Sequence, residues 1–292
     1  MAVQHVGDFE FLNQEEIKNI ILASGIISSK GMMTGGIAGV GIGKVYNCHN
    51  YATVICDKKF NGGIIGYLGR NSDLQRCHNE GTITSISSDK SQFGVGGIAG
   101  AAFTSSVVKD CYNLGNITGN SSRVGGVIGS AENCLVTNCY SIADVESRPN
   151  DFGGGLCAVI YSDYPDTKVE HSYYYNRLQG SSQQLDMWHP VEEFEDGTIF
   201  KELDEKSPNL WRQEEGKYPV FIDTVFASEK YQLKRVTICK GDSIAYAVQC
   251  EDLDPLSSVT YNLVYTCVGP NEDETIDLVA AVNCQGDPNT TN

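Results

Sequence analysis

The chain has 292 residues, 41% of them hydrophobic and 20% charged, with a net charge of −16, a length that holds one large domain or two ordinary ones. So large an acid surplus argues against a nucleic-acid partner, because phosphate binding needs Lys and Arg clustered on one face. The 31 glycines exceed the average usage of about 7%, but without a Gly-X-Y period collagen is excluded and glycine must serve turns.

The opening MAVQHVGDFEF has no basic stretch followed by an apolar run, so any export signal or anchor is expected outside this sequence. Nowhere does the chain reach the ~18 consecutive apolar residues of a membrane span. In NQEEIKNIILAS, Ile17, Ile20, Ile21 and Ala23 recur at roughly helical spacing. Asn13 would cap the helix and Glu16 would complete a capping box. Residues 1–34 are therefore expected to form an N-terminal cap with a short helix that shields an open strand edge.

From Gly35 a repeat takes over. Glycine pairs at Gly35, Gly62, Gly96, Gly125 and Gly154 lie 27, 34, 29 and 29 residues apart. Each is followed by a second motif: NCHN, RCHN, DCYN, NCYS and a degenerate HSYY. The aligned thiols are Cys48, Cys77, Cys111 and Cys139, with Ser172 in the fifth place. Three residues earlier stand Val45, Leu74, Val108, Val136 and Val169, and two residues later Asn50, Asn79, Asn113 and Ser141. Short β-branched segments broken by Gly and Asn read as strands and corners. Stacking such units pairs each strand with its equivalent in the next and buries the branched residues in one column. Residues 35–180 are thus expected to be an all-β parallel β-solenoid, a β-helix of about five coils, ~24 Å long at ~4.8 Å per coil. Right-handed coiling is the default for parallel crossovers. The glycine pairs either turn corners at positive φ or let coils approach closely. Asn50, Asn79 and Asn113 read as an asparagine ladder, each amide bonded to the next.

Several chemical readings of the repeat can be weighed. A zinc site needs ligands converging at about 2.0–2.3 Å, whereas thiols on successive coils form a line, so Cys48, Cys77, Cys111 and Cys139 read as a buried structural ladder. Disulfides among them would distort coils whose Cα atoms are about 4.8 Å apart. A Cys–His nucleophile at Cys48–His49 or Cys77–His78 is disfavoured because strand neighbours point to opposite faces. The same alternation sets His49, His78, Tyr112, Tyr140 and Tyr173 on the outer face as a candidate ligand-binding aromatic row. Stacking of those rings on each other is the structural alternative. The acids Asp73, Asp110, Asp144 and Asp151 fall at different offsets of the repeat, so no carboxylate pair of a glycan-cleaving enzyme stands out and no catalytic residue is assigned. Calcium is compatible with the charge, but no DxDxDG loop occurs; neither metal nor cofactor is assigned. The insertion YSDYPD, with Asp163, Tyr164 and Asp166, is the candidate functional loop, a solvated turn being the alternative reading.

Residues 181–223 are expected to close the other end. VEEFEDGTIFKELDEK supplies a helix, and Trp211 and Tyr218–Pro219 would pack over the last coil. From 224 to 292, alternating runs such as SIAYAVQC and TIDLVAAVNC suggest a small antiparallel β-sandwich-like domain of Ig-like type. Its cysteines Cys239, Cys250, Cys267 and Cys284 could form two disulfides in any of three connectivities.

The pattern GGIAG…V-x-N-C-x-N-x-G-x-I, over about Gly35 to Tyr175, resembles the GLUG repeats of secreted and surface proteins of bacteria. Glu192 to Phe221 is similar to the helix and Trp/Tyr-Pro segment that often follow such arrays. The fifth unit departs from the pattern at Ser172 and in the loss of the following Asn, as a terminal coil would. The resemblance implies an extracellular or cell-surface, adhesin-like repeat protein, non-catalytic, acting in adhesion or as a rigid spacer that presents a binding face. Its partner would be a host or neighbouring-cell surface protein or glycan, with no nucleic acid and no membrane span in this chain. Two competing expectations are a carbohydrate-binding or glycan-cleaving β-helix protein and a structural subunit of a fibre or phage appendage.

Overall fold

Apolar residues at alternate positions, interrupted every few residues by Gly or a left-handed corner, give solenoid strands of only two to four residues. The computed structural model describes residues 15–86, 94–119, 123–146, 152–158, 164–175 and 186–222, with the backbone of four strands between 234 and 280. Equivalent strands of successive units pair in parallel and build five stacks of four to six strands, a parallel solenoid of about five coils. One stack runs Glu15–Lys18, Gly43–Tyr46, Asp73–Gln75, Val107–Lys109, Leu135–Thr137 and Lys168–Glu170. Its register aligns Val45, Leu74, Val108, Val136 and Val169 as one column, and all five are buried. The next stack aligns Ile21, His49, His78, Tyr112, Tyr140 and Tyr173.

The expected N-terminal helix is not formed where it is described. Glu15–Lys18, Ile21–Leu22 and Ile26–Ser29 are strands that pair with the following coil; Asn13 lies outside the described residues. The physical reason is register. Ile17 pairs with Val45, and Leu22 with Asn50, so these residues gain a continuous core and ladder partners that a short isolated helix lacks. This first turn of chain is a degenerate coil whose marker positions carry Ile20 and Leu22 in place of Cys and Asn.

The glycine pairs serve close approach, since none of them adopts positive φ. A Cβ on Gly36 would stand 2.6 Å from Asn50 Cγ, and Gly63 and Gly97 abut Asn79 and Asn113 in the same way. One set of left-handed corners lies just before each aligned thiol or Ser172, at Asn47 (φ 51), Arg76 (φ 52), Asp110 (φ 52), Asn138 (φ 53) and His171 (φ 46), and a second set lies at Asn71 (φ 53), Ser105 (φ 60) and Asn133 (φ 52).

After the last coil, Trp188 bridges to Tyr174 and donates its Nε1–H to Tyr175 O at 2.6 Å. Helix α1 (Val191–Glu195), helix α2 (Thr198–Lys206) and an antiparallel pair, Trp211–Arg212 with Val220–Phe221, then form a strap. The sequence places it over the end of the last coil. It runs instead along the flank of the solenoid, because the flank offers a row of aromatic rings to bury against.

The chain divides into two compact units, Met1–Val225 and Phe226–Asn292. In the second, Lys234–Cys239 pairs antiparallel with Thr275–Ala280, and Ser243–Val248 with Tyr261–Thr266. The side chain of Cys239, and Cys250, Cys267 and Cys284 altogether, lie outside the described residues, as does any disulfide among them.

Candidate functional site

The interior columns are built from the left-handed corners inward. A corner residue at positive φ turns the following thiol into the core, where it meets the carbonyl two residues earlier. Cys48 Sγ donates to Tyr46 O at 3.3 Å, and Cys77, Cys111 and Cys139 donate to Gln75 O, Lys109 O and Thr137 O at 3.2 Å. Burial pushes the thiols of Cys77, Cys111 and Cys139 well above their usual range, so they are neutral donors. Ser172 keeps the rung, donating to Glu170 O at 2.9 Å and accepting from Cys139 N at 3.1 Å.

Beside them runs the asparagine ladder. Asn50 Nδ2 donates to Asn79 Oδ1, and Asn79 Nδ2 to Asn113 Oδ1, each at 2.7 Å. Each amide also donates to the carbonyl two residues on, at Ala52, Gly81 and Gly115. At the final rung Tyr174 takes the column and its ring occupies the space over Gly155, which a Cβ there would fill.

The candidate aromatic row faces away from the thiols, as alternation requires, but it is not exposed. His49, His78, Tyr112 and Tyr140 are all buried, and Tyr173 is half-buried. Centroid separations along the row are 4.2 Å for His49–His78, 4.6 Å for His78–Tyr112 and 5.2 Å for Tyr112–Tyr140. The strap covers it. Phe221 lies 6.2 Å from His49, 6.0 Å from His78 and 4.9 Å from Tyr112, while Trp211 and Phe194 each lie 5.9 Å from Tyr140. Tyr140 donates its hydroxyl to Pro219 O. Two corner residues hold the helical half: Asn138 Nδ2 donates to Leu203 O at 3.2 Å, and Ser207 Oγ to Asp110 Oδ1 at 2.7 Å. His49, His78, Tyr112 and Tyr140 stack on each other and form a docking platform for the chain's own strap, so these four do not face solvent, while Tyr173 stays half-buried at the end of the row.

This burial perturbs the row electrostatically. Burial depresses His49 to about 4, and burial with the neighbouring His49 takes His78 well below the imidazole range. Tyr173, whose ring is edge-on to His189 at 5.3 Å, is pushed up to about 12 by burial and by Glu202 and Glu205.

Of the candidate loop, Asp163 lies outside the described residues. Tyr164 is half-buried with its ring 5.9 Å from the Arg123 guanidinium carbon, and exposed Asp166 donates its N–H to Asn133 Oδ1 at 3.2 Å. Thr167 N donates to Tyr164 O at 3.1 Å, closing Tyr164–Thr167 as a turn. Buried Arg123 reaches Ser130 Oγ at 2.6 Å and Glu132 Oε1 at 2.9 Å.

A different aromatic group, missed in the repeat columns, does reach solvent. Phe60, Tyr67 and Phe103 are each half-buried; Tyr67 and Phe103 stack at 4.7 Å, and Phe60 lies 6.0 Å from Phe103, edge-on. Burial raises Tyr67, with Arg70 and Glu132 as its charged neighbours. The only sequence signal was the outward alternation of Tyr67 opposite Val40 and Ala101, too short to stand out.

Among the described residues, no three or more His, Cys, Asp or Glu side chains gather as a metal site would require, and no helix is long and apolar enough to cross a membrane. A family model described as the GLUG motif matches residues 120–146, the unit that contains Gly125, Gly126 and Cys139. It agrees with a GLUG-motif repeat protein. No match is found among curated proteins or among solved structures.

Proposed function

We propose that the chain is a non-catalytic, rigid repeat element of a secreted or surface-displayed protein, acting as a spacer that holds a binding face in fixed orientation. The observation that carries this reading is the continuity of the thiol, asparagine and aliphatic columns from coil to coil, cross-braced by the strap. Buried amides and neutral thiols are spent on holding coils in register, a use that fits stiffness and leaves them no part in chemistry. The GLUG match supports a surface repeat protein.

A second reading, glycan binding, is favoured by the half-exposed Phe60–Tyr67–Phe103 group, since aromatic faces with polar neighbours suit sugar rings. A glycan array combined with a hydrolysis assay tests both. Release of product would overturn the non-catalytic reading. Binding that disappears in Tyr67→Ala and Phe103→Ala would establish the second reading over a pure spacer.

A further inference from the structure

The strap covers a row whose two ends differ in chemistry. Tyr112 and Tyr140 present phenols, which stay neutral in acid. The other end presents imidazoles: His49 and His78 stack 4.2 Å apart, both buried, beneath Phe221. Each ring uses Nε2 on one neutral partner, Asn47 Oδ1 at 3.0 Å and Tyr51 Oη at 2.9 Å. Nδ1 of each ring is buried with no hydrogen-bond partner among the described residues. A second proton on either ring would therefore bury an unsatisfied N–H and a positive charge in an apolar stack.

The groups facing the pair offer little to hold that charge. From the solenoid come Tyr51, neutral in acid, and Glu80, whose Oε1 is 3.7 Å from His78 Nε2. Burial raises the Glu80 carboxyl, so it too loses its charge as the solution is acidified. The neighbouring rung supplies Tyr112, and the strap supplies Phe221, which does not titrate.

We infer that the strap is an acid-released cover: proton uptake by His49 and His78 frees its Trp211–Phe221 end from the aromatic row, while the helical half tied to Asp110 and Asn138 stays docked. The linkage has a definite direction. An imidazole released to water titrates near 6.5, whereas His49 under the strap titrates at about 4. Between those values the released state binds more protons, so acid favours it. At pH 4, His49 alone shifts the docked-to-released ratio by about a hundredfold toward release.

The test uses the full chain. Trp188 and Trp211 are its two tryptophans, so Trp188→Phe leaves Trp211 as the sole indole reporter of strap docking. Its emission is followed from pH 7.5 to 3.5 beside far-UV circular dichroism. The inference expects a reversible red shift between pH 6.5 and 4 with the β signal intact. It also expects His49→Tyr/His78→Tyr, which extends the Tyr rungs, to move that shift at least one pH unit lower. Hydrogen exchange on the unsubstituted chain gives a second readout that needs no variant. Loss of protection at 210–222 before the solenoid strands supports release. Simultaneous loss everywhere, or a double variant that titrates like its parent, overturns it.

Discussion

Asn79 is the middle rung of the asparagine ladder: it accepts from Asn50 at 2.7 Å and donates to both Asn113 Oδ1 at 2.7 Å and Gly81 O at 2.8 Å. Asn79→Ala leaves the Asn50 amide and the Gly81 carbonyl short of partners in a buried column, at about 1–3 kcal/mol for each group left unsatisfied. The expected loss is about 2–6 kcal/mol, read from urea midpoints. Ser141→Ala, at the ladder's end where Ser141 Oγ accepts only a 3.4 Å bond from Ala143 N, should cost about 1 kcal/mol or less. Equal losses at the two sites would contradict a cooperative ladder. The thiols make a parallel case. Ser172 already serves as a rung through Glu170 O, so Cys111→Ser should fold with a loss of about 1 kcal/mol. Because burial holds Cys77, Cys111 and Cys139 far above their usual range, a thiol reagent at pH 8 should label them only after unfolding, since the thiolate is the nucleophile. Mass spectrometry before and after denaturation would read this directly. These columns were legible because they recur at fixed offsets. The corners were partly legible: Asn47, Asp110, Asn138 and His171 are residue types that tolerate the left-handed region, but Arg76 shares the conformation with no local signal.

At the scale of elements, the strap decides what the aromatic row is. Period-two alternation placed His49 and Tyr112 on the face opposite the thiols, and the structure has them there. It could not say that the face is covered, because the cover comes from Trp211 and Phe221, far along the chain. The first coil reads as a helix for a related reason: its isoleucines fit a helical spacing, and the Cys and Asn that mark a rung are replaced by Ile20 and Leu22. Only pairing with the next coil, a long-range effect, settles the choice. The strap also gives the fold a pH dependence whose sign can be worked out. His49 is depressed to about 4 in the fold, against about 6.5 unfolded. Its contribution is therefore fully present above pH 6.5 and is lost as pH falls toward 4, by about 3 kcal/mol. His78, shifted the same way by burial, adds to that loss. Glu80, raised by burial, acts with the opposite sign at the acid end. Urea unfolding at stepped pH should show stability falling from pH 6.5 to 4, and His49→Tyr/His78→Tyr should flatten that slope. A slope left unchanged would assign the acid sensitivity to other groups.

For the Met1–Val225 unit as a whole, the strap changes how the solenoid holds together. In a bare solenoid each coil touches only its neighbours, so stability is a sum of local terms and the ends fray first. Here Phe221 rests on His49, His78 and Tyr112, Trp211 on Tyr112 and Tyr140, and α2 is tied to corners at Asp110 and Asn138. Four successive rungs thus share one brace, and a coil cannot open without lifting rings from its neighbours. Unfolding of residues 15–222 should accordingly be cooperative, with hydrogen-exchange protection nearly level from the second to the fifth rung of the row. Removing the brace rings tests the coupling. Trp211→Ala and Phe221→Ala each delete a buried aromatic, at about 3–5 kcal/mol. The distinguishing effect lies in the pattern of the loss, since the double variant should show protection graded from the ends inward and a broader urea transition with a smaller slope. A double variant that is merely less stable, with protection still level and the slope unchanged, would mean that the internal ladders alone make the coils cooperative and that the strap only covers them.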